Sequence, residues 1–198
     1  MLHPSTSDRR VTKEEDDVLF WLSLEDDTED APWMVMGDLR FWSASSLAHS
    51  LRNYAHKQRL PWYVASMLPI RFVKLPSKRK QVLAPDIFVA MVPEHPRNSF
   101  DVDVEDGFPP FVLEVVSPSS TIRDFDDKLE AYEKLGAREY ALFTPRADGP
   151  SLLQGFRRNE AGWFEEWSPD AEGRLWSDVL GLRLIVRGMT LQAQTPEG

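Results

Sequence analysis

Two apolar runs interrupted by single acids dominate the hydrophobic pattern of the chain. Phe111-Val112-Leu113 and Val115-Val116 enclose Glu114, and 28 residues earlier Val82-Leu83-Ala84 and Ile87-Phe88-Val89-Ala90 enclose Pro85-Asp86. Short apolar runs rich in β-branched and aromatic residues predict buried strands. Pro118 ends the second one, and Ser119, Ser120 or Thr121 offers an N-cap. Phe125, Leu129, Tyr132 and Leu135 then follow at i, i+4, i+7 and i+10, one helical stripe facing a sheet, and Gly136 suits the C′ position. Ala137–Thr144 reads as the next strand. A strand, a helix and a strand this closely joined predict parallel pairing with a crossover.

Upstream, Trp33–Met36 and Leu39–Trp42 around Gly37-Asp38 read as a hairpin. A helix then runs from Ser43–Ser46 to about Lys57 with Leu47, Leu51, Tyr54 and Ala55 on its apolar face. His49 and His56 are seven residues apart, two turns, too far to share an ion. Trp62–Val73 reads as extended, with Pro69 marking a bulge or an edge. Downstream, Ser151–Phe156 and Trp163–Trp167 flank a polar turn and predict a hairpin. Leu175–Val186 alternates around Gly181, and the residues after Met189 read as a loose tail. In the N-terminal segment, Thr12 and Glu15 resemble a capping box before a short apolar helix at Val18–Leu22, and residues 25–32 read as a loop. The pattern divides into an acidic N-terminal segment over 1–30, one domain over 31–190 and a tail over 191–198.

Composition narrows the class. The 198 residues include seven Trp and no Cys, which excludes disulfides and thiolate metal sites and agrees with a reducing cytoplasm. No apolar run approaches the roughly 18 residues of a membrane span, and no signal peptide is legible at the N-terminus. The net charge of −9 argues against a nucleic-acid partner, but ten acids against three bases fall within residues 1–30, so the remainder is nearly neutral. Within it Arg71, Lys74, Lys78, Arg79 and Lys80 occur with no acid between them. The plainer reading of that cluster is a solvated loop beside a strand; the other is contact with DNA phosphates. Asp101, Asp103, Glu105 and Asp106 imitate a cation loop but lack its Gly and terminal Glu.

Asp86 and Glu114 carry the chemistry. A carboxylate in an apolar strand is costly to bury unless paired. On neighbouring strands two of them repel, unless a divalent cation neutralises both. Mg²⁺ suits such a pair because it takes few protein oxygens and keeps several waters, and the carbonyl of Val115 offers a third ligand. Lys128 borders the buried stripe of its helix and reaches toward Glu114 on one reading. On the other it pairs with Asp124 at i, i+4 on a solvated face.

Pro85-Asp86, Phe111–Ser120, Arg123-Asp124, Lys128, Tyr132, Gly136 and Glu139-Tyr140 together resemble the Uma-two family of the PD-(D/E)XK nuclease superfamily, across Gly37 to Val186. The resemblance implies an α/β (α+β) fold. Its restriction-endonuclease-like core is a mixed β-sheet flanked by helices, here with an extra N-terminal hairpin and a C-terminal β-hairpin. It also implies Mg²⁺- or Mn²⁺-dependent hydrolysis of DNA, with Asp86 and Glu114 as ligands and Lys128 assisting the nucleophile. Asp38, Asp124 and Tyr132 are accessory candidates. Cutting both strands calls for two active sites, hence a homodimer. Two departures stand out. The superfamily's Lys falls two residues after the Glu, where this chain has Val116, and the first helix, read over 46–57, carries no acid. The competing function is a nuclease-like module that binds nucleic acid or protein without cutting.

Overall fold

The computed structural model describes residues 33–74, 79–105, 107–116 and 122–198; for residues 33–39, 74, 79–80 and 122–126 the backbone alone is described. The acidic segment 1–30, with its capping box and short helix, and the caps at 119–121 lie outside the described residues.

Helix α1 (Trp33–Gln58) opens the fold. The hairpin expected around Gly37-Asp38 is therefore not formed: both residues lie inside the helix. A single Gly costs a helix interior only about 1 kcal/mol. The packed second half, with Ala44, Leu47, Ala48, Leu51 and Ala55 almost wholly buried, outweighs that cost.

Six strands form the central sheet: β1 (Tyr63–Ser66), β4 (Ile87–Ala90), β6 (Phe111–Val115), β7 (Glu139–Thr144), β8 (Leu152–Arg158) and β9 (Phe164–Glu166), in that spatial order. Only β6 and β7 are parallel. Helix α2 (Ile122–Leu135) joins them, as the crossover pattern predicts. Gly136 follows it with φ of 101°, a left-handed value that a side chain rarely adopts.

The chain makes two further sheets. Strands β2 (Ile70–Lys74), β3 (Arg79–Leu83) and β5 (Phe100–Asp101) form one; β10 (Leu175–Ser177), β11 (Leu182–Arg187) and β12 (Thr190–Gln194) form the other. Pro69 thus marks neither a bulge nor an edge within one strand but the change of sheet between β1 and β2. The expected single stretch Leu175–Val186 folds at Gly181 into β10 and β11. The end of the chain is not a loose tail: Thr190–Gln194 pairs with β11, and Leu191 is buried. The expected C-terminal hairpin of β8 and β9 is present.

Strand alternation divides the core in two. Ile87, Val89, Phe111, Leu113, Val115 and Phe143 pack toward α1 and the β10–β12 sheet. Phe88, Val112, Tyr140 and Leu142 pack on the other face with Tyr132 of α2 and with Ile70, Leu83 and Phe100 of the second sheet. Each strand of the middle is therefore covered on both sides, which explains unbroken apolar runs in place of alternation. Gly155 on β8 leaves room for an indole: a Cβ there would lie 2.5 Å from the Trp167 ring.

Glu139, at the start of β7, is a buried acid with a structural task. It bonds the Ser177 hydroxyl and accepts the Asp178 N–H at 2.8 Å, and Arg157 lies 3.3 Å away. It ties the central sheet to the turn after β10. Burial pushes its carboxyl above the usual range, against the pull of the hydrogen bonds and Arg157. Glu139→Ala leaves these partners unmatched, and chemical denaturation should show a loss of about 3 kcal/mol. Glu139 sits at the opposite end of the sheet from Glu114, so chemistry at Glu114 should survive the substitution.

Candidate active site

The register of β4 and β6 brings the two acids together. Ile87 pairs with Leu113 and Phe88 with Val112, antiparallel, so the position before β4 faces the one after Leu113: Asp86 lies across from Glu114. Both belong to the face of Phe88 and Val112, since side chains alternate along each strand. Each is only 3% exposed. In an antiparallel ladder directly opposite side chains start about 5 Å apart.

Asp86 is held from three directions. Its Oδ2 accepts the Val115 N–H at 2.7 Å. The Arg40 guanidinium donates through Nε to Oδ1 at 2.9 Å and to Oδ2 at 3.2 Å. Its backbone carbonyl accepts the N–H of Met67, an exposed residue held at a left-handed φ of 54°. Glu114 is held by α2: Tyr132 donates its hydroxyl to Oε1 at 2.7 Å, and Lys128 Nζ lies 3.1 Å from the same oxygen.

The structure shows the reach of Lys128 to Glu114. The side chain of Asp124 lies outside the described residues. Tyr132, expected both in the core and as an accessory, is wholly buried and bonded to the acid. Val115 meets Asp86 through its N–H. Asp38 falls on α1, the first helix, where the superfamily pattern wants an acid, though its side chain is not described. Arg40 had no place in the sequence reading. Its helix turn was assigned to a hairpin, and an isolated Arg carries no spacing signal; extending the helix N-terminal to Ser43 was the only clue available.

The basic cluster spans one hairpin. Arg71 is exposed on β2 and pairs with Val82, while Val73 pairs with Lys80 and Lys74 with Arg79. Lys78 lies outside the described residues. The base of the hairpin, Ile70 opposite Leu83, adjoins the sheet end that carries Asp86, because residues 67–69 and 84–85 are all that separate them. Its Lys74–Arg79 end extends about 13 Å beyond that base at strand rise. In the acidic loop Glu105 forms a two-bond ion pair with Arg97, which stacks on Tyr63 at 4.1 Å. His56 pairs with Glu94 and His49 with Asn53, so neither histidine joins the site.

Electrostatics identifies this end of the sheet as a place for positive charge. Burial and the neighbouring Glu114 carboxylate push Asp86 up to about 6, against Arg40 and the Val115 N–H. Burial and Glu114 likewise push the Tyr132 phenol well above its ordinary value. The hydroxyl of Tyr140 is buried with no hydrogen-bond partner among the described residues, and its phenol is raised by burial, Glu114 and Asp86 in turn. An orphaned hydroxyl in the field of two carboxylates has the character of a group facing a hydrated ion. Oxygen donors alone, with no His or Cys, fit Mg²⁺ or Mn²⁺. Among the described residues no group of three or more His, Cys, Asp or Glu side chains converges, so two carboxylates are the side-chain donors there.

Asp86 gives the site a pH signature. Its carboxyl rises on folding from 3.8 to about 6, so the folded state prefers the neutral form. Stability is therefore unpenalised below pH 4 and falls as pH rises through 6, by about 3 kcal/mol in total. Asp86→Asn stays neutral throughout. Urea unfolding of the apoprotein at pH 4 and pH 7 should show the variant gaining on the wild type by about that amount.

Comparison with known proteins identifies the family. A family model described as "Putative restriction endonuclease", Uma2, matches residues 33–186. Among solved structures, a putative nuclease belonging to DUF820 from Anabaena variabilis ATCC 29413 is similar. It is 18% identical, with 67% of this chain and 69% of that one covered and a TM-score of 0.48. No curated protein matches. The family match takes in both acids, Lys128, Tyr132 and all but the last strand of the fold, and the chain belongs to the Uma2 family.

Proposed function

We propose that this protein is a metal-dependent nuclease that hydrolyses phosphodiester bonds of DNA, with its active site at the Asp86–Glu114 end of the central sheet. The observation that carries the reading is the register that sets the two buried acids across from each other, with Lys128 3.1 Å from Glu114. Family membership supports the same class of activity.

In this reading Asp86 and Glu114 hold Mg²⁺ or Mn²⁺, with the Val115 carbonyl as a third oxygen. The bound ion would acidify a water and polarise a phosphodiester oxygen. Tyr132 fixes the rotamer of Glu114 by bonding Oε1. Lys128, on that same oxygen, is placed to stabilise an attacking hydroxide or the charge that develops at phosphorus. Asp38 and Asp124 are accessory acids, from the first helix and from the start of α2. The basic positions of the β2–β3 hairpin, Arg71, Lys74, Lys78, Arg79 and Lys80, track the phosphate backbone beside the site. Two copies of the chain would supply one site per strand.

A non-cutting module is the second reading. It is favoured by one observation: each acid already has a cation of the protein beside it, Arg40 or Lys128. Nicking of supercoiled plasmid with Mg²⁺ or Mn²⁺ separates the two. The wild type should nick only with metal, and Asp86→Ala, Glu114→Ala and Lys128→Ala should each be slower by at least about a hundredfold. Metal-independent nicking, or variants as active as the wild type, would remove the assignment of a metal-dependent active site to Asp86 and Glu114. Binding of duplex with no nicking under any metal would leave the module.

A further inference from the structure

Lys128 supplies the cation beside Glu114. Asp86 has a cation of its own, brought from the other side of the sheet. Arg40 stands on α1, which packs on the face opposite α2, and its Nε contacts both oxygens of Asp86 at 2.9 and 3.2 Å. With the Val115 N–H on Oδ2 at 2.7 Å, three donor contacts fall on one carboxylate. A carboxylate offers about four acceptor positions. The position left over is on Oδ1, beside the guanidinium, so a divalent ion approaching Asp86 there crowds Arg40. The Val115 N–H belongs to a buried strand and cannot leave without unpicking β6. Arg40 can: its side chain is 29% exposed and ends a long flexible stem.

Resting on the metal reading above, we propose that Arg40 is a displaceable counter-ion. It neutralises Asp86 while no divalent ion is bound, yields that carboxylate to the ion, and turns its guanidinium to the phosphodiester oxygens of the nucleic acid. Charge accounts for the direction of the move. A divalent ion adds two positive charges beside the guanidinium. The displaced cation is repelled by the ion, and the anionic phosphate is its natural partner. A guanidinium presents a planar fork of donors that matches two phosphate oxygens, which an ammonium cannot do.

An Arg that merely anchors Asp86 makes the opposite forecast for metal binding, so the two roles are separable without measuring cleavage. Mg²⁺ is titrated calorimetrically into the full chain at pH 8, without nucleic acid, for wild type, Arg40→Gln and Arg40→Lys. Removing the competing charge should tighten Mg²⁺ binding by at least about fivefold in Arg40→Gln, while Arg40→Lys stays near the wild type. Affinity for a phosphorothioate duplex in saturating Mg²⁺ should move the other way, weakening by about tenfold in Arg40→Gln. Should the Gln variant not fold, Arg40→Met, which keeps the aliphatic stem, carries the same expectations. Mg²⁺ binding that is unchanged or weaker in Arg40→Gln and Arg40→Met, with the wild type binding normally, overturns the counter-ion role alone. Failure of Mg²⁺ to bind any of the proteins overturns the metal reading and this role together.

Discussion

Mutual repulsion between two carboxylates that the β-ladder does not allow to part is the constraint on which this fold turns. Asp86 and Glu114 sit across an antiparallel pair, and both strands are covered on both faces. Neither acid can swing into water without dragging a packed strand. The surrounding structure meets the repulsion with cations from both layers. Helix α1 carries Arg40 to Asp86, and α2 carries Lys128 and Tyr132 to Glu114. The two helices are therefore more than covers for an apolar sheet.

That compensation is incomplete. Asp86 stays up at about 6 although Arg40 and a backbone N–H both favour its charged form, so burial and Glu114 prevail. An apolar pair in the same places would be expected to stabilise the fold. Strain retained in the middle of an otherwise well-packed sheet is a common mark of a site kept for chemistry. Glu139 provides the internal comparison. It is just as buried, but its hydroxyl, backbone and Arg157 partners cluster on it, the neighbouring Asp178 carboxylate is exposed and shares that Arg157, and it serves as a clamp between sheets.

The acids, the α2 stripe and the parallel step from β6 to β7 were legible because each is written locally. An apolar run broken by one acid, or a stripe at helical spacing, needs no knowledge of distant partners. Lys128 was ambiguous for the same reason: helical spacing places Asp124 within reach as readily as the sheet places Glu114. What the pattern concealed depends on non-local packing. Trp33–Trp42 carries hairpin-like signals, and only the buried half of α1 decides the matter, so Arg40 was hidden with it. Thr190–Gln194 is polar and short, and becomes a strand because β11 offers an unpaired edge. Pro69 signals a bulge or an edge in the pattern, and sequence alone cannot say that the chain changes sheet there.

The departure at Val116 follows from the same geometry. The superfamily pattern puts its Lys two residues beyond the Glu, which on a strand is the same face. Here that position packs its side chain against the core cluster of Phe88, Val112 and Tyr132. Val116 itself is half-buried, just past the end of β6. Lys128, on the helix that covers this face, reaches the same carboxylate with a third of its side chain still in water. Lys128 and Tyr132 are one turn apart on that helix and converge on a single oxygen of Glu114, so two donors to the acid are placed by one element. What this architecture requires of its sequence is therefore a charge at a point in space, and the residue that supplies it is free to sit wherever the fold brings a long side chain within reach.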